Sequence, residues 1–153
     1  MTPLDPAFFR LLRLNGAIAG AILIAAAFVV EAILGGRLGL PRGTLAAPAV
    51  LAALYLVVLS PARRYRAWGY EMGVEELHVR RGVWTRIYTI VPLGRVQHID
   101  VSQGPLERSL GLSRLVLHTA GTLHSQVVLP GLWRETAEAM RDEIRGRIAP
   151  GEE

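Results

Sequence analysis

The chain has 153 residues, of which 51% are hydrophobic and 20% charged, and its formal net charge is +4. This length is short for two soluble domains, but it is enough for two membrane helices and one domain of about 85–90 residues. The absence of cysteine excludes disulfides. After residue 60 the chain has thirteen arginines and eleven acids, and this net charge is too small for the basic face of a nucleic-acid binder.

An apolar region precedes the soluble part. Between residues 14 and 60 the chain carries only three charges: Glu31, Arg37 and Arg42. About 20 apolar residues cross a bilayer core, so the pattern predicts transmembrane helices over about 14–34 and 43–60. The short glycine- and proline-rich connection predicts an antiparallel hairpin, and Ser60-Pro61 is expected to end the second helix. Residues 1–62 would form this membrane part, with residues 1–13 as a short lead into the first span.

Two features of the first span allow more than one interpretation. Gly16-x-x-x-Gly20 gives a small-residue face on which another helix could pack closely. Glu31 is an ionisable group inside the span, which is costly unless it serves a purpose. Either its carboxylate reaches the nearby membrane interface, or it is a functional buried acid.

Arginines near the span ends predict the orientation of the hairpin. Five lie on the side of the two termini: Arg10, Arg13, Arg63, Arg64 and Arg66. Two lie in the connection: Arg37 and Arg42. The excess favours a protein of the cell membrane with two spans and both termini in the cytoplasm.

The segment after the second span is typical of a membrane interface. Arg63, Arg64 and Arg66 alternate with aromatic residues that include Trp68. Aromatic rings prefer the headgroup level, and anionic lipids attract arginine. The same residues could instead begin the first strand of the soluble domain, and the two roles are compatible.

Residues 63–153 are predicted to form a small β domain. Five strand-sized segments follow one another at short spacing: 76–81, 84–91, 96–103, 114–119 and 125–129. A helix over about 132–148 closes the chain and presents one apolar face that includes Trp133, Met140 and Ile144. Short strands followed by one amphipathic helix indicate a barrel or sandwich plugged by that helix.

Residues 65–148 resemble the bacterial PH-like (bPH2) domain of membrane-flanked proteins. The resemblance rests on Arg81-Gly82, on IVPLGRVQHIDVSQGPLERSLGLSRLVLHTAG at 90–121, and on LPGL at 129–132. It implies an α+β membrane protein in which an N-terminal two-helix transmembrane hairpin precedes a PH-like antiparallel β-barrel capped by a C-terminal α-helix. The implied barrel has seven strands. To reach that number, residues 63–81 are expected to divide into two strands, and a short extra strand is expected near Leu123.

The resemblance also implies function. It implies no catalysis and no cofactor, and some members are linked to protection against membrane-active peptides, often with a larger sibling that carries further copies of the domain. Arg95, Gln97 and Arg108 match recurrent positions of the family pattern. They form either a contact surface or a structural brace at strand ends. The expected partners are the lipid bilayer and another membrane protein with PH-like domains, or a second copy of the chain, and no nucleic acid.

Catalytic chemistry finds little support in the residues. His98, Asp100 and Ser102 share one strand face but lie in a row, which is not the arrangement of a catalytic triad. The four histidines show no recognised metal-ligand spacing: His78, His98, His118 and His124. The leading hypothesis is a non-catalytic interaction module held at the membrane. The alternative is a small membrane enzyme or transporter component that uses Glu31 or the strand histidines.

Overall fold

The computed structural model describes residues 1–39, 41–120 and 126–148. The chain divides into two compact units, and each has its own internal contacts. One unit is helical and comprises Phe9–Arg64; the other comprises Met1–Phe8 and the chain from Tyr65 onward.

The helical unit consists of two long helices. Helix α1 is Pro6–Leu38 and helix α2 is Ala46–Ala67. Both are apolar and long enough to cross a membrane. Their large apolar side chains point outward, as Leu51 does with 67% exposure, which is the pattern of a lipid-facing surface and not of a buried core helix.

The small-residue face of α1 packs against α2. A Cβ atom added to Gly16 would collide with the backbone of Leu56, and one added to Gly20 would lie 2.9 Å from the Cβ of Ala53. Only glycine permits this close approach of the two backbones. The predicted packing of another helix at Gly16 and Gly20 is therefore confirmed, and that helix belongs to the same chain.

Glu31 of α1 caps the first turn of α2. Its carboxylate accepts hydrogen bonds from the backbone N–H groups of Gly43, Leu45 and Ala46, the last two at 3.2 and 3.1 Å. The first N–H groups of a helix have no partner within it, and a carboxylate at this end also complements the helix dipole. The acid inside the span thus has a structural role in the hairpin.

Helix α2 does not end where the sequence suggested. Ser60-Pro61 was expected to terminate it, yet the helix continues through Pro61 to Ala67. A proline removes one i→i−4 hydrogen bond, but membrane helices tolerate this loss when their surroundings satisfy the freed group. As a result Arg63, Arg64 and Arg66 lie on the last turns of α2 itself.

The other unit contains two three-stranded antiparallel sheets. The first has the order β1-β2-β3 and consists of Gly69–Met72, Glu76–Arg81 and Ile87–Pro92. The second has the order β4-β5-β6 and consists of Val96–Ser102, Leu112–Thr119 and Gln126–Trp133. Helix α3 (Pro105–Ser109) joins β4 to β5, and helix α4 (Arg134–Ile148) follows β6.

The predicted types of element and their order along the chain are confirmed. Apolar helices precede two antiparallel sheets, and one helix closes the domain. The strands of the described residues pair within two separate sheets, and no pairing among these residues joins the two sheets into a closed barrel. Closure of the barrel therefore stays a prediction. The strand expected near Leu123 lies outside the described residues.

Helix α4 packs on the second sheet through the predicted face, with one exception. Met140 and Ile144 are buried, and so are the strand residues Leu77, Leu115 and Leu129. Trp133 was also expected in this core, but it ends β6, before the helix begins, and is 41% exposed. Its ring lies over Gly111, where a Cβ would approach it to 2.8 Å.

The first residues of the chain belong to the β unit. Thr2 and Tyr70 exchange two backbone hydrogen bonds of 2.7 and 3.0 Å, and the N–H of Asp5 donates to the carbonyl of Gly131 at 3.3 Å. Leu4 is buried, and its carbonyl accepts a 2.7 Å hydrogen bond from the hydroxyl of Tyr65. The structure differs here from the expectation of a simple lead into the first span, because residues 1–8 contact both sheets.

Candidate contact surface

The three residues that match the family pattern lie on different elements. Arg95 ends a short 3₁₀ turn, Gln97 is on β4 and Arg108 is on α3, and all three side chains are exposed. The structure places Gln97 and Arg108 in two adjoining grooves beside α4, whereas Arg95 lines neither.

The first groove lies between β4 and α4 and has a volume of about 310 Å³. Its polar lining consists of Gln97, His98, Arg141 and Arg145. Apolar side chains of both elements form the rest of the wall, among them Ile99. This groove therefore combines two guanidinium groups with an apolar floor.

The second groove has a volume of about 510 Å³. Its polar lining consists of Gln103, Arg108, Arg134, Glu138 and Arg141. Because Arg141 lines both, the two form one continuous polar strip beside α4. We refer to them together as the arginine grooves.

The charges in the arginine grooves are only partly compensated. Arg134 forms an ion pair of 2.8 Å with Glu138, whose carboxylate raises the pKa of Arg134. Arg141 pairs with the neighbouring Asp142 at 2.8 Å. No acidic side chain of the described residues pairs with Arg108 or Arg145. Arginine forks recognise carboxylate and phosphate groups, so the two unpaired arginines could bind such groups.

The periodicity of α4 explains how its arginines reach one strip. Arg134, Glu138, Arg141 and Arg145 follow at steps of four, three and four residues, so they share one face of the helix. The adjacent face carries the buried Ala137, Met140 and Ile144. Sequence reasoning used this periodicity to find the core, but missed that the arginines line a groove with β4.

An ion pair between the buried Glu107 and the more exposed Arg114 holds helix α3 and thereby Arg108. Glu107 is only 4% exposed and accepts a 2.6 Å hydrogen bond from the N–H of Gly104. The guanidinium of Arg114 donates to the same carboxylate at 3.0 Å from Nε and 2.8 Å from Nη2. Sequence reasoning missed this acid. The signal was Gly-Pro-x-Glu, a helix start with glutamate at the third position.

The histidines form a polar cluster on the outside of the second sheet. Asp100 lies between His98 and His118, at 2.9 and 3.2 Å from their Nε2 atoms. No hydrogen bond joins Ser102 to either ring within the part of the chain that the structure describes. Over the same residues, no group of three or more histidines and acids is placed to hold a metal ion. His124 lies outside the described residues.

The residues predicted at the membrane interface lie at the end of α2: three arginines are in its last turns, and Trp68 follows its last residue. Arg63, Arg64 and Arg66 are exposed, and the guanidinium of Arg63 lies 6.0 Å from the ring centroid of Tyr55. Trp68 is half-buried. Their contact with lipid stays a prediction.

These observations define a class of protein. A hairpin of two apolar helices is joined to a small two-sheet domain that one helix closes. The family model "Bacterial PH domain" (bPH_2) matches residues 9–148. The chain therefore belongs to the bacterial PH domain family.

A curated relative agrees with this assignment. The chain is 37% identical over 102 residues to the UPF0699 transmembrane protein YdbS of Bacillus subtilis (strain 168). The match covers 67% of this chain and 62% of the relative's length. No solved structure matches the chain. Together with the two apolar helices, the comparisons identify a YdbS-like membrane protein with a PH-like domain.

Proposed function

We propose that this protein is a membrane-anchored, non-catalytic interaction module that binds an acidic segment of a partner through the arginine grooves. The observation that carries the proposal is the convergence of four arginines from α3 and α4 on one strip, two of them without an acidic partner. Carboxylates of a partner would complete the missing pairs, and the apolar floor would exclude water from them.

The alternative, an enzyme or transporter component, receives less support. That alternative assigned a chemical role to Glu31, but both oxygens of the Glu31 carboxylate accept backbone hydrogen bonds at the start of α2. It also used the strand histidines, but Asp100 bridges two of them at an exposed sheet face, and no hydrogen bond among the described residues joins Ser102 to either ring. These two observations favour the non-catalytic module.

The partner in this proposal is another membrane protein with PH-like domains, or a second copy of the chain. The family resemblance supports such a partner, because relatives are often accompanied by a sibling with several copies of the domain. The resulting complex would belong to the cell envelope and contribute to protection against membrane-active peptides.

Site-specific photo-crosslinking in native membranes tests the proposed surface. A benzophenone amino acid at Gln97 or Arg108 should give a discrete crosslinked species. The same amino acid at Ala139, which is exposed on α4 outside both grooves, serves as the matched control. Equal crosslinking from all three positions would contradict a specific surface.

Charge reversal tests the chemistry of the contact. Arg108→Glu with Arg145→Glu should abolish the crosslink formed from Gln97, because the partner's carboxylates would then meet like charges. Arg95→Glu reverses an equally exposed charge outside the grooves and should leave the crosslink unchanged. A crosslink that survives the double reversal would mean that another surface binds the partner.

The proposal includes an orientation in which both termini, and therefore the β domain, are cytoplasmic. It rests on the hairpin and on the excess of arginines at its terminal side. Reporter fusions after Glu153 and within residues 35–43 measure the orientation directly. A C-terminal fusion that is active only outside the cytoplasm would contradict it.

A further inference from the structure

The hairpin formed by β2 and β3 carries the most exposed aromatic residue that the structure describes. Trp84 is 87% exposed and stands at the tip of the hairpin beside Val83. Tyr88 and Ile90 continue the exposed apolar surface along β3. Large apolar patches on a protein surface mark sites of interaction, and this patch is separate from the arginine grooves.

A glycine shapes the tip of the hairpin. Arg81 and Ile87 pair across the strands, and the five residues between them form the turn. Gly82 opens this turn with φ of +102°, and a Cβ atom at this position would collide with the carbonyl oxygen of Thr85. Only glycine fits there. The bend at Gly82 therefore leads into Val83 and Trp84, which are exposed at the end of the hairpin.

The charge around the tip is of one sign. Arg80, Arg81 and Arg86 flank it, and no acid occurs in the sequence between Glu76 and Asp100. No acidic side chain of the described residues pairs with any of these three arginines. An apolar tip surrounded by uncompensated arginines is complementary to one surface in particular, an anionic lipid leaflet, where tryptophan prefers the interface and arginine contacts phosphate.

We propose that the β2–β3 hairpin contacts the lipid surface. Val83 and Trp84 enter the interfacial layer, while Arg81 and Arg86 bind the phosphates of anionic headgroups. The domain is joined to the apolar helices at two points of the chain, Phe8–Phe9 and Arg64–Tyr65, so it cannot diffuse away from the bilayer. This contact does not depend on the proposed protein partner.

Fluorescence of the full-length protein in vesicles tests the proposal. The variant Trp68→Phe/Trp133→Phe retains Trp84 alone, and Trp68→Phe/Trp84→Phe retains Trp133, also partly exposed, as the matched control. Vesicles contain phosphatidylcholine and phosphatidylglycerol at three to one, with bromine on the acyl chains of the phosphatidylcholine. We expect blue-shifted emission and strong quenching of Trp84, and little quenching of Trp133.

The role of the arginines is tested in the same vesicles. Arg81→Gln/Arg86→Gln should reduce the quenching of Trp84, and so should replacement of phosphatidylglycerol by phosphatidylcholine. Water-like emission of Trp84 without quenching would overturn the proposal. Emission that shifts with the protein-to-lipid ratio but is not quenched would overturn it in favour of a second copy of the chain, paired at the edge strand β3.

Discussion

Glu107 is a buried charge on which the position of Arg108 depends. It accepts hydrogen bonds from the N–H of Gly104 and the guanidinium of Arg114, so it holds α3 against β5. Breaking a buried pair from one side costs about 3–5 kcal/mol. For Arg114→Leu we expect less, about 1–3 kcal/mol, because Arg114 is itself 44% exposed on its side chain and solvent screens the pair.

Chemical unfolding in detergent measures this loss. The double variant Glu107→Gln/Arg114→Leu is the control, because it removes both charges and leaves the amide oxygen to accept from Gly104. It should recover part of the free energy of unfolding that Arg114→Leu loses. A double variant that is less stable than Arg114→Leu would show that the negative charge itself is needed.

Tyr70 links the stability of the β unit to alkaline pH. Partial burial raises its pKa, and the nearby carboxylate of Asp5 raises it further. In the unfolded chain the phenol loses its proton near pH 10, whereas the folded protein retains it to higher pH. The free energy of unfolding is therefore unaffected by this group below about pH 10 and falls as the pH rises above it.

Unfolding experiments between pH 8 and 11 measure this fall, and phenolate absorbance follows the ionisation. Tyr70→Phe should unfold with a shallower pH dependence above pH 10 than the unchanged protein. An identical slope would mean that other groups cause the loss of stability.

Part of the candidate surface could be predicted from the sequence, and part could not. Gln97 and Arg108 belong to a recognisable pattern within one stretch of chain. Arg141 and Arg145 lie more than 30 residues further on, and only the folding of α4 beside β4 brings them to the same strip. A spacing of four residues puts these arginines on one helix face, but the spacing does not show which element that face meets.

Among the elements, α4 is the one whose packing was best predicted. Its apolar positions recur at helical spacing, and Met140 and Ile144 are buried as that spacing indicates. Truncation of such residues to alanine costs about 2–5 kcal/mol, a large part of the stability of a typical domain. Ile144, at 0% exposure, should cost more than Met140.

Thermal unfolding of Ile144→Ala and Met140→Ala measures the contribution of α4 to the domain. Thr136→Ala, at an exposed position of the same helix, should change the free energy of unfolding by no more than about 0.5 kcal/mol. If all three variants melt alike, α4 does not close the core, and its apolar face would be available to membrane or partner.

Element boundaries were predicted less well where long-range contacts decide them. Pro61 signals a helix end in isolation, yet α2 continues past it. The first residues look like the flank of a span, but Leu4 is buried in the β unit. Gly131 has φ of +67°, and the absence of a side chain there makes room for the ring of Phe8. Because Phe8 lies more than 100 residues earlier, the need for glycine at this position could not be predicted from neighbouring residues.

At the scale of the whole molecule, the division into apolar helices and a PH-like domain was readable from composition and motif. The membrane part follows from two stretches of about 20 residues that are almost free of charge. The family pattern predicted the sheets and the closing helix, but it also implied a closed barrel that the described strands do not form. Closure depends on pairing between the two sheets, which no local pattern specifies.

The last prediction concerns how the β domain is held near the bilayer. Arg63, Arg64 and Arg66 occupy the last turns of α2, are exposed, and have no acid nearby in sequence before Glu71. Each arginine near an anionic leaflet contributes about 1 kcal/mol. Replacement of all three by glutamine should leave the protein inserted, because the apolar helices supply the anchoring, but should increase the distance between domain and lipid.

Spin-label relaxation from a label at Ala139 to the lipid surface measures that distance. High salt should have the same effect on the unchanged protein, since charges are screened over about 10 Å at 0.1 M ionic strength. Arg37→Gln/Arg42→Gln, at the other end of the spans, is the control and should leave the distance unchanged. An unchanged distance in the triple variant would mean that these arginines determine only topology, and that contacts such as those of the β2–β3 hairpin hold the domain by themselves.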